Sequence, residues 1–371
     1  MTSPTLPTDV PAPPPPSDTR RTARARRWPV RLLWLAVVAL VIALAGMLIR
    51  LPYRVFSPGD AKPVQDVVKV EGARTYQHRG EVLFLTVSVS TDRPNLWRLL
   101  QAELDDDSQI IGEDDYLGGQ SPQRVRRLNQ AAMDESQLVA KVVALEKLGY
   151  SVTATGSGAE VRAVLPGSPA DGKLESGDVV TAIDGRPVRL SDELGEIVRS
   201  EPAGTTFTFT LTRGGETRTV DIATAEAPSG DLRGKPYVGI QTSTKDLKVD
   251  FPVDVTIDPG EVRGPSAGLA FTLAIIDELS PGDLTGGKKV AVTGTIEPDG
   301  GVGDVGGVRQ KTAAAIDAGA ELFLVPRAEL RPARERAGDE LKVVAVDDVD
   351  DALRVLRRNG GAPLEQVAPA A

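Results

Sequence analysis

The hydrophobic and polar positions change their pattern several times along the chain. Residues 32–49 form an uncharged apolar run without a polar stripe, and the run has roughly the length that spans a bilayer. Residues 51–147 mix extended runs with helical spacing, residues 148–226 alternate as strands, and residues 234–358 combine alternating runs with apolar helices. The pattern predicts an α+β protein with a signal-anchor transmembrane helix over residues 32–50, a β-rich domain and a final α+β domain.

The two ends of the chain are expected to be disordered. Residues 1–31 are rich in Pro, Ser, Thr and Arg, and such a composition cannot bury a core. The same expectation holds for residues 359–371.

The charges that flank the apolar run predict its orientation. Six arginines precede it, whereas Arg50 and Arg54 follow it, and the more basic side of a span stays in the cytoplasm. We therefore predict a single-pass protein of the cell membrane, with a cytoplasmic N-terminus and an extracytoplasmic bulk that begins with residues 51–147. A cleaved signal peptide is the alternative, but the run is long and no Ala-x-Ala-like site follows Gly46.

Composition narrows the possible chemistry. The chain has 371 residues and a net charge of −9, with acidic residues spread along it, which argues against nucleic acid as the main partner. It has no cysteine, and its only histidine is His78, so a thiol nucleophile and a His-Glu-x-x-His zinc site are both excluded.

The sequence of residues 282–289 differs by one residue from a P-loop motif, because Lys289 stands where Ser or Thr should bind Mg²⁺. We expect no metal and no cofactor, and a hydrolase would use lysine as its base.

One candidate nucleophile lies between an alternating run and an apolar helix. Residues 263–271 read Arg-Gly-Pro-Ser-Ala-Gly-Leu-Ala-Phe, which places Ser266 at or just before a helix N-terminus. Gly264 permits a sharp approach to it, and Pro265 suits a first helical turn. Free backbone N–H groups at that end could bind an oxyanion. The simpler alternative is a serine that caps a buried helix.

A candidate base follows in a second stretch. A buried strand ends at Thr293 and Gly294, and a glycine-rich segment then leads into an alanine-rich helix. Lys311 lies in the first turns of that helix, among small residues that leave room for a close partner. Taken alone, Lys311 would more simply be a solvated helix lysine, because lysine is rarely buried.

The two stretches together resemble the proteolytic domain of the Lon family over roughly residues 234–358. The residues that carry the resemblance are Gly264-Pro265-Ser266-Ala267-Gly268, Thr293-Gly294 and Gly306-Gly307-Val308-Arg309-Gln310-Lys311.

This resemblance implies a serine–lysine dyad. Ser266 would be the nucleophile, Lys311 a neutral base with a depressed pKa, and Thr293 the group that orients the lysine amine. The resemblance also implies a homo-oligomeric ring. Two positions depart from the family pattern: Arg263 replaces an Asp, and Thr295 replaces a Glu.

Residues 148–226 resemble a PDZ domain. The resemblance rests on Gly167-Ser168-Pro169-Ala170 and on Leu174, Gly177 and Asp178. It implies binding of an extended peptide as an added strand, with the peptide's C-terminal carboxylate held by backbone N–H groups.

Within that segment, two elements are candidates for the peptide groove. Leu148, Gly149 and Tyr150 are the candidate carboxylate loop, and a helix that contains Leu194 and Val198 is the candidate groove wall. The alternative for Leu148 and Tyr150 is ordinary packing in the core.

The whole arrangement resembles the membrane-anchored, PDZ-containing Lon-like proteases of Gram-positive bacteria. It implies an ATP-independent serine endopeptidase that cleaves extracytoplasmic proteins or peptides, with the PDZ domain engaging the substrate. The alternative is a membrane-anchored peptide-binding scaffold with an inactive protease domain.

Overall fold

The computed structural model describes residues 27–229 and 233–365. Of the segments predicted to be disordered, residues 1–31 and 359–371, the parts 1–26 and 366–371 lie outside the described residues. Residues 27–31 are helical, so the apolar helix begins before the predicted residue 32. The chain divides into two compact units, the first built from residues up to 59 and 87–125, the second from residues 60–86 and those from 126 onward.

The secondary structure alternates between helices and short strands. The helices are α1 (Arg27–Leu48), α2 (Leu96–Glu103), α3 (Glu113–Leu117), α4 (Pro122–Lys147), α5 (Ser191–Arg199), α6 (Gly268–Leu279), α7 (Val308–Asp317), α8 (Leu330–Ala337) and α9 (Val349–Arg358), with 3-10 turns at Val64–Asp66 and Arg327–Glu329. The strands of the first half are β1 (Tyr53–Pro63), β2 (Val68–Glu71), β3 (Glu81–Val89), β4 (Gln109–Gly112), β5 (Thr153–Thr155), β6 (Gly158–Val164), β7 (Val179–Ile183) and β8 (Arg186–Pro187). The remaining strands are β9 (Thr206–Arg213), β10 (Glu216–Ala223), β11 (Ala225–Glu226), β12 (Pro236–Tyr237), β13 (Ile240–Lys245), β14 (Lys248–Asp250), β15 (Asp254–Ile257), β16 (Lys289–Val292), β17 (Thr295–Ile296), β18 (Val302–Gly303), β19 (Leu322–Pro326) and β20 (Lys342–Val346).

The first unit has a small core and a buried ion-pair network. The start of β1 pairs antiparallel with β4, and Val55 packs against the buried face of α2. The Glu113 carboxylate accepts hydrogen bonds from Arg54 Nη2 at 2.5 Å and from Arg93 Nε at 2.6 Å. A buried charge requires such pairing, so this network fixes the end of β4 against the start of β1.

A parallel sheet lies at the centre of the second unit, in the order β20–β19–β16–β3. Successive residues of each strand enter different cores: Val290 and Val292 face one side of β16, and Ala291 faces the other. Parallel strands covered on both faces read as continuous apolar runs, as these do. Helices α4, α6 and α9 contribute to the core on the first face, and α7 and α8 contribute to the core on the second.

Segments that precede the β-rich domain complete this sheet and its core. Strand β2 pairs with β15, and residues 81–84 of β3 pair in parallel with β16. Helix α4 places Met133, Val143 and Leu145 in the same core as Phe271 of α6. Much of the region predicted as a separate unit over residues 51–147 is therefore part of the final α+β domain.

The β-rich domain is inserted into this unit. Its sheet has the order β10–β9–β7–β6–β13, with β8 on β7, and its core contains Phe207, Phe209 and Leu211. The chain enters from α4 through β5 and leaves through β14, and these two short strands pair with each other. Strand β13, which follows the predicted boundary at residue 226, forms an edge of the sheet.

Candidate active site

The candidate nucleophile lies in a turn held by α4. Ser266 is half-buried and precedes the first residue of α6 by two positions. Gly264 has a φ of +97°, and its N–H donates to the carbonyl of Asn129 at 3.0 Å. The hydroxyl of Ser136 donates to the carbonyl of Pro265, also at 3.0 Å. Both residues that hold the turn belong to α4, and no sequence motif connects this helix with the site.

Gly268 allows the start of α6 to approach its neighbours. A Cβ at this position would lie 2.6 Å from Ile296 Cγ2 and 2.6 Å from Ser136 Oγ. Such distances are too short for ordinary carbon contacts, so a larger residue would displace the nucleophile turn.

Two backbone donors are free beside the serine hydroxyl. The N–H groups of Ser266 and Ala267 have no acceptor among residues 27–229 and 233–365. They lie at the N-terminal end of α6, where the helix dipole favours negative charge. These donors suit the oxyanion of a tetrahedral intermediate.

The candidate base is a buried lysine. Lys311 is the fourth residue of α7 and is 2% exposed. Gly307 precedes α7 in the left-handed region at φ +67°, and its carbonyl accepts the N–H of Lys311 at 3.0 Å. Gly306 is exposed next to it. The glycine pair thus turns the chain sharply enough to direct the first turn of α7 into the interior.

Thr293 connects the lysine to the nucleophile turn. Lys311 Nζ donates to Thr293 Oγ1 at 3.0 Å, and Thr293 Oγ1 donates to the carbonyl of Ser266 at 3.1 Å. Because the ammonium or amine has only this hydrogen-bond partner among the described residues, a neutral Lys311 keeps its lone pair available.

The sheet explains why these groups meet. Helices α6 and α7 cover opposite faces of the sheet, and Thr293 directly follows β16, a central strand. The N–H of Thr293 still donates to Leu324 of β19, whereas the N–H of Gly294 donates to the carbonyl of Ser266. The carboxyl end of β16 is therefore the point at which residues from both faces converge.

Burial changes the acidity of the lysine. Loss of solvation lowers the pKa of Lys311 from 10.5 to about 8, and the negative charge of Glu329 partly opposes this by raising it. Burial raises the pKa of Glu329 in turn, the negative charge of Asp304 raises it further, and the positive charge of Lys311 lowers it. Glu329 was not predicted from the sequence, since it lies in a 3-10 turn and belongs to no recognisable motif.

The two departures from the Lon pattern leave the lysine–threonine contact unchanged. The Arg263 side chain is exposed, and its Nη1 donates to the carbonyl of Glu261 in the same loop. Thr295 pairs with Gly303 in the β17–β18 hairpin. Within the described residues, no group of three or more His, Cys, Asp or Glu side chains could hold a metal ion.

The predicted carboxylate loop has a different role in the structure. Leu148 and Tyr150 are buried in the core of the α+β domain. The N–H groups of Leu148, Gly149 and Tyr150 donate to carbonyls of the last turn of α4, and Gly149 has a φ of +89°. This is a Schellman helix end. The loop therefore offers no free donors to a carboxylate, and the geometry supports the alternative of core packing.

The predicted groove wall is present, but the two named side chains point into the core. Leu194 and Val198 of α5 are 4% and 3% exposed and belong to the core of the β-rich domain. The start of the same helix is held beside β13, because Ser191 Oγ and Thr242 Oγ1 lie 2.9 Å apart and Ser191 N–H donates to Thr244 Oγ1 at 2.9 Å.

Another loop of the β-rich domain does have free donors. The N–H groups of Val238 and Gly239, just before β13, have no acceptor in the described part of the chain. Gly239 has a φ of +81°, and a Cβ there would lie 2.1 Å from Ser168 Cβ. On the side away from β6, β13 pairs with no described strand. The loop and the open edge follow one another along the chain.

Comparison with known proteins identifies both domains. Residues 238–358 match the family model of the Lon protease (S16) C-terminal proteolytic domain, and residues 146–224 match that of the PDZ domain. The Lon protease of Phenylobacterium zucineum is 32% identical over 176 residues, which cover 46% of this chain and 19% of that protein. The Lon protease of Roseiflexus castenholzii is 37% identical over 111 residues, which cover 29% of this chain and 14% of that protein. The chain thus spans about a fifth or less of the length of these relatives.

One solved structure shares part of its sequence with this chain. The crystal structure of the PDZ domain of an SdrC-like protein from Listeria monocytogenes is 29% identical, covers 23% of this chain and 87% of that chain, and has a TM-score of 0.22. The resemblances predicted for the two segments are confirmed by the family models: the chain carries a PDZ domain followed by a Lon-type (S16) proteolytic domain.

Proposed function

We propose that this protein is an ATP-independent, membrane-anchored serine endopeptidase in which Ser266 and Lys311 form the catalytic dyad. The observation that carries the proposal is the contact of a buried Lys311 amine with Thr293, whose hydroxyl in turn donates to the carbonyl of Ser266. A lysine with a pKa of about 8 is neutral in a useful fraction of molecules near neutral pH.

In the proposed reaction, the Ser266 hydroxyl oxygen attacks the carbonyl carbon of the scissile peptide bond. The hydroxyl proton passes to Lys311 Nζ, and the N–H groups of Ser266 and Ala267 stabilise the oxyanion. When the C–N bond breaks, Lys311 returns this proton to the leaving amine and the acyl group remains on Ser266. A water molecule then attacks the acyl-enzyme, with neutral Lys311 again accepting the proton, and releases the acid.

The membrane part of the proposal rests on α1. Residues Val30–Leu48 have a mean hydropathy of 2.4, and only 6% of that window is buried. A helix in the core of a soluble protein would instead be covered by other elements. With the basic flank in the cytoplasm, the PDZ and protease domains are extracytoplasmic. The ring implied by the Lon resemblance remains a prediction.

A serine-reactive probe separates the proposed enzyme from an inactive scaffold. We expect a fluorophosphonate to label Ser266 in the purified full-length chain, because the neighbouring base activates the hydroxyl, and labelling should be lost in Ser266→Ala and Lys311→Ala. Ser280→Ala is a matched control, since Ser280 directly follows the same helix and its removal should not affect labelling. Absence of labelling in a folded protein, or persistent labelling in Lys311→Ala, would support the scaffold.

For the PDZ domain we propose substrate binding at the open edge of β13, beside α5. A peptide added to this edge would run antiparallel to β13, because the Val238 and Gly239 N–H groups that would hold its terminal carboxylate lie at the N-terminal end of β13. This site replaces the predicted loop at residues 148–150, whose N–H groups are occupied.

Peptides with a free or an amidated C-terminus test this site. We expect a peptide with an apolar C-terminal residue to bind the full-length Ser266→Ala variant, and amidation to weaken binding about tenfold or more, because a charge-assisted hydrogen bond contributes about 1.5–3 kcal/mol. Fluorescence anisotropy measures both affinities. Equal binding of the two peptides would exclude carboxylate capture by this loop.

A further inference from the structure

Helix α2 carries an apolar face that the protein does not cover. Leu96, Trp97 and Leu100 are 37%, 42% and 46% exposed, and Leu104, directly after the helix, is 87% exposed. Positions three to four residues apart lie on the same side of a helix. The opposite side, with Leu99 and Ala102, is buried against Val55. The protein core covers only one of these two apolar sides, so the exposed side needs another apolar environment.

The position of α2 beside α1 indicates what that environment is. Trp97 Nε1 donates to the carbonyl of Ala43 at 2.9 Å. The ring lies so close to α1 that a Cβ on Gly46 would be 2.7 Å from Trp97 Nε1. Ala43 precedes the end of α1 by five residues, which corresponds to about 7–8 Å along the helix axis. If α1 spans the membrane, Trp97 therefore lies at or below the outer surface of the bilayer.

The chain that follows α1 fixes α2 at this level. The N–H of Leu51 donates to the carbonyl of Pro94 at 3.0 Å, and Arg50 forms a β-bridge with Asn95. Trp97 and the 41% exposed Tyr53 are aromatic residues of the kind that concentrate at the membrane interface. The backbone contacts of residues 50 and 51, which follow α1, with residues 94 and 95, which precede α2, thus hold the two helices next to each other.

Polar residues of α2 border the apolar stripe on the side of Trp97. Arg98 and Gln101 line a recess of about 460 Å³ together with Trp97, Asp105 and Ser108. This recess contains the polar groups that would be costly to place in lipid. The distribution is that of a helix lying in an interface, with one face toward lipid and polar groups toward water.

We propose that α2 is a membrane-interface helix, which lies in the outer leaflet beside α1 and buries Leu96, Leu100 and Leu104 among lipid acyl chains. The proposal rests on the membrane anchoring stated under the proposed function, and not on proteolytic activity. It makes the first unit a part of the membrane attachment, because two elements contact the bilayer instead of one.

Site-directed spin labelling tests this placement, and the absence of native cysteine makes every label unique. Full-length single-cysteine variants at Leu100, Leu104, Arg98 and Val37 are labelled with a nitroxide and reconstituted in phosphatidylcholine–phosphatidylglycerol vesicles. We expect labels at Leu100 and Leu104 to collide with oxygen and to be shielded from a water-soluble nickel chelate. The label at Arg98, which is exposed outside the apolar stripe, should show the reverse preference.

Three outcomes would overturn the proposal. If the nickel chelate reached labels at Leu100 and Leu104 but not at Val37, α1 would be in the membrane while the apolar face of α2 would be in water. Nickel access at Val37 as well would show that the anchoring itself is wrong. Exclusion of both reagents with spin–spin broadening would show that a second copy covers the face.

Tryptophan quenching gives a second measurement that leaves the apolar stripe intact. The chain has three tryptophans, so Trp28→Phe with Trp34→Phe leaves Trp97 as the only one. We expect lipids brominated near the headgroup to quench Trp97 at least twofold more than aqueous iodide does. Stronger quenching by iodide would overturn the proposal. Neither measurement depends on activity, so labelling of Ser266 by the serine probe tests the protease separately.

Discussion

We expect Lys311→Arg to lower the rate of peptide cleavage by about 10³-fold or more, a loss of the size seen when a member of a catalytic unit is removed. Arginine keeps the positive charge but stays protonated at any accessible pH, so it cannot accept the Ser266 proton. Initial rates on a fluorogenic unstructured peptide measure the effect. Ser266→Ala should be equally inactive.

Two controls keep this result interpretable. Lys311→Met fills the buried position without a charge and should also be inactive, which separates loss of the base from any misfit of the guanidinium. His78→Gln should retain activity, since His78 Nε2 donates to the carbonyls of Asp277 and Ser280 at the far end of α6 from Ser266, about 18 Å away along the helix. An active, folded Lys311→Arg protein would exclude the proposed base.

The pH dependence of the wild-type rate follows from the same lysine. Activity should rise with pH through the depressed pKa of about 8, so that the rate at pH 7 is about one-tenth of the plateau. Glu329→Gln removes a charge that favours the ammonium form, and it should therefore move the midpoint to lower pH. If the midpoint of the pH–rate profile were the same in Glu329→Gln as in the wild type, the charge of Glu329 would have no effect on the pKa of Lys311.

The second large effect is a gain in stability. The pKa of Lys311 lies near 8 instead of 10.5, so keeping the ammonium form buried costs the folded state about 3 kcal/mol below pH 8. Lys311→Met removes this cost and also one hydrogen bond to Thr293, worth about 1 kcal/mol. We expect the variant to be about 2 kcal/mol more stable than wild type at pH 7.

The size of this stability difference depends on pH. Between pH 8 and 10.5 the unfolded chain binds more protons at this site than the folded chain, so wild-type stability rises with pH. The advantage of Lys311→Met should consequently fall to near zero by pH 10. Denaturant unfolding of the detergent-solubilised chain at both pH values measures the difference.

An exposed lysine provides the matched control for the stability measurement. Lys342 is exposed, and Lys342→Met should change the free energy of unfolding by no more than about 0.5 kcal/mol at either pH. If Lys311→Met behaved like Lys342→Met, the pKa of Lys311 would not be depressed and its role as a neutral base near pH 7 would fail.

The relation between Ser266, Thr293 and Lys311 could be predicted because each group has a local signal. Gly264 and Pro265 mark the turn, Thr293 and Gly294 end an apolar strand, and paired glycines start the lysine helix. Each local pattern is ambiguous, and the family resemblance resolves it. The hydroxyl of Thr293 contacts both the Lys311 amine and the Ser266 carbonyl, and its role in orienting the amine stays a prediction.

The support of the nucleophile turn could not be predicted, because it depends on contacts between distant residues. Asn129 and Ser136 lie on an ordinary amphipathic helix, and nothing in their neighbourhood indicates that they meet residues 264 and 265. Strands β2 and β3 likewise have strand composition, but composition does not specify a partner. Their pairing with β15 and β16 assigns them to the protease domain.

The predicted carboxylate loop at residues 148–150 shows that one sequence pattern can fit two different structures. A glycine between two apolar residues fits a helix end, where its positive φ closes a Schellman motif, and it fits a loop that binds a carboxylate equally well. Leu148-Gly149-Tyr150 and Val238-Gly239-Ile240 share this pattern. Only the hydrogen-bond partners of their N–H groups distinguish them.

The pairing of β3 with β16 has a consequence for synthesis of the protein. It joins Glu81 to Lys289, a separation of 208 residues, and contacts so distant in sequence form late during folding. The inserted PDZ domain, whose strands pair over shorter separations, can fold while β3 and α4 still lack their partners. Ser266 leaves the ribosome before β16, and Lys311 follows both. A nascent chain would therefore be proteolytically silent until its last part has been made.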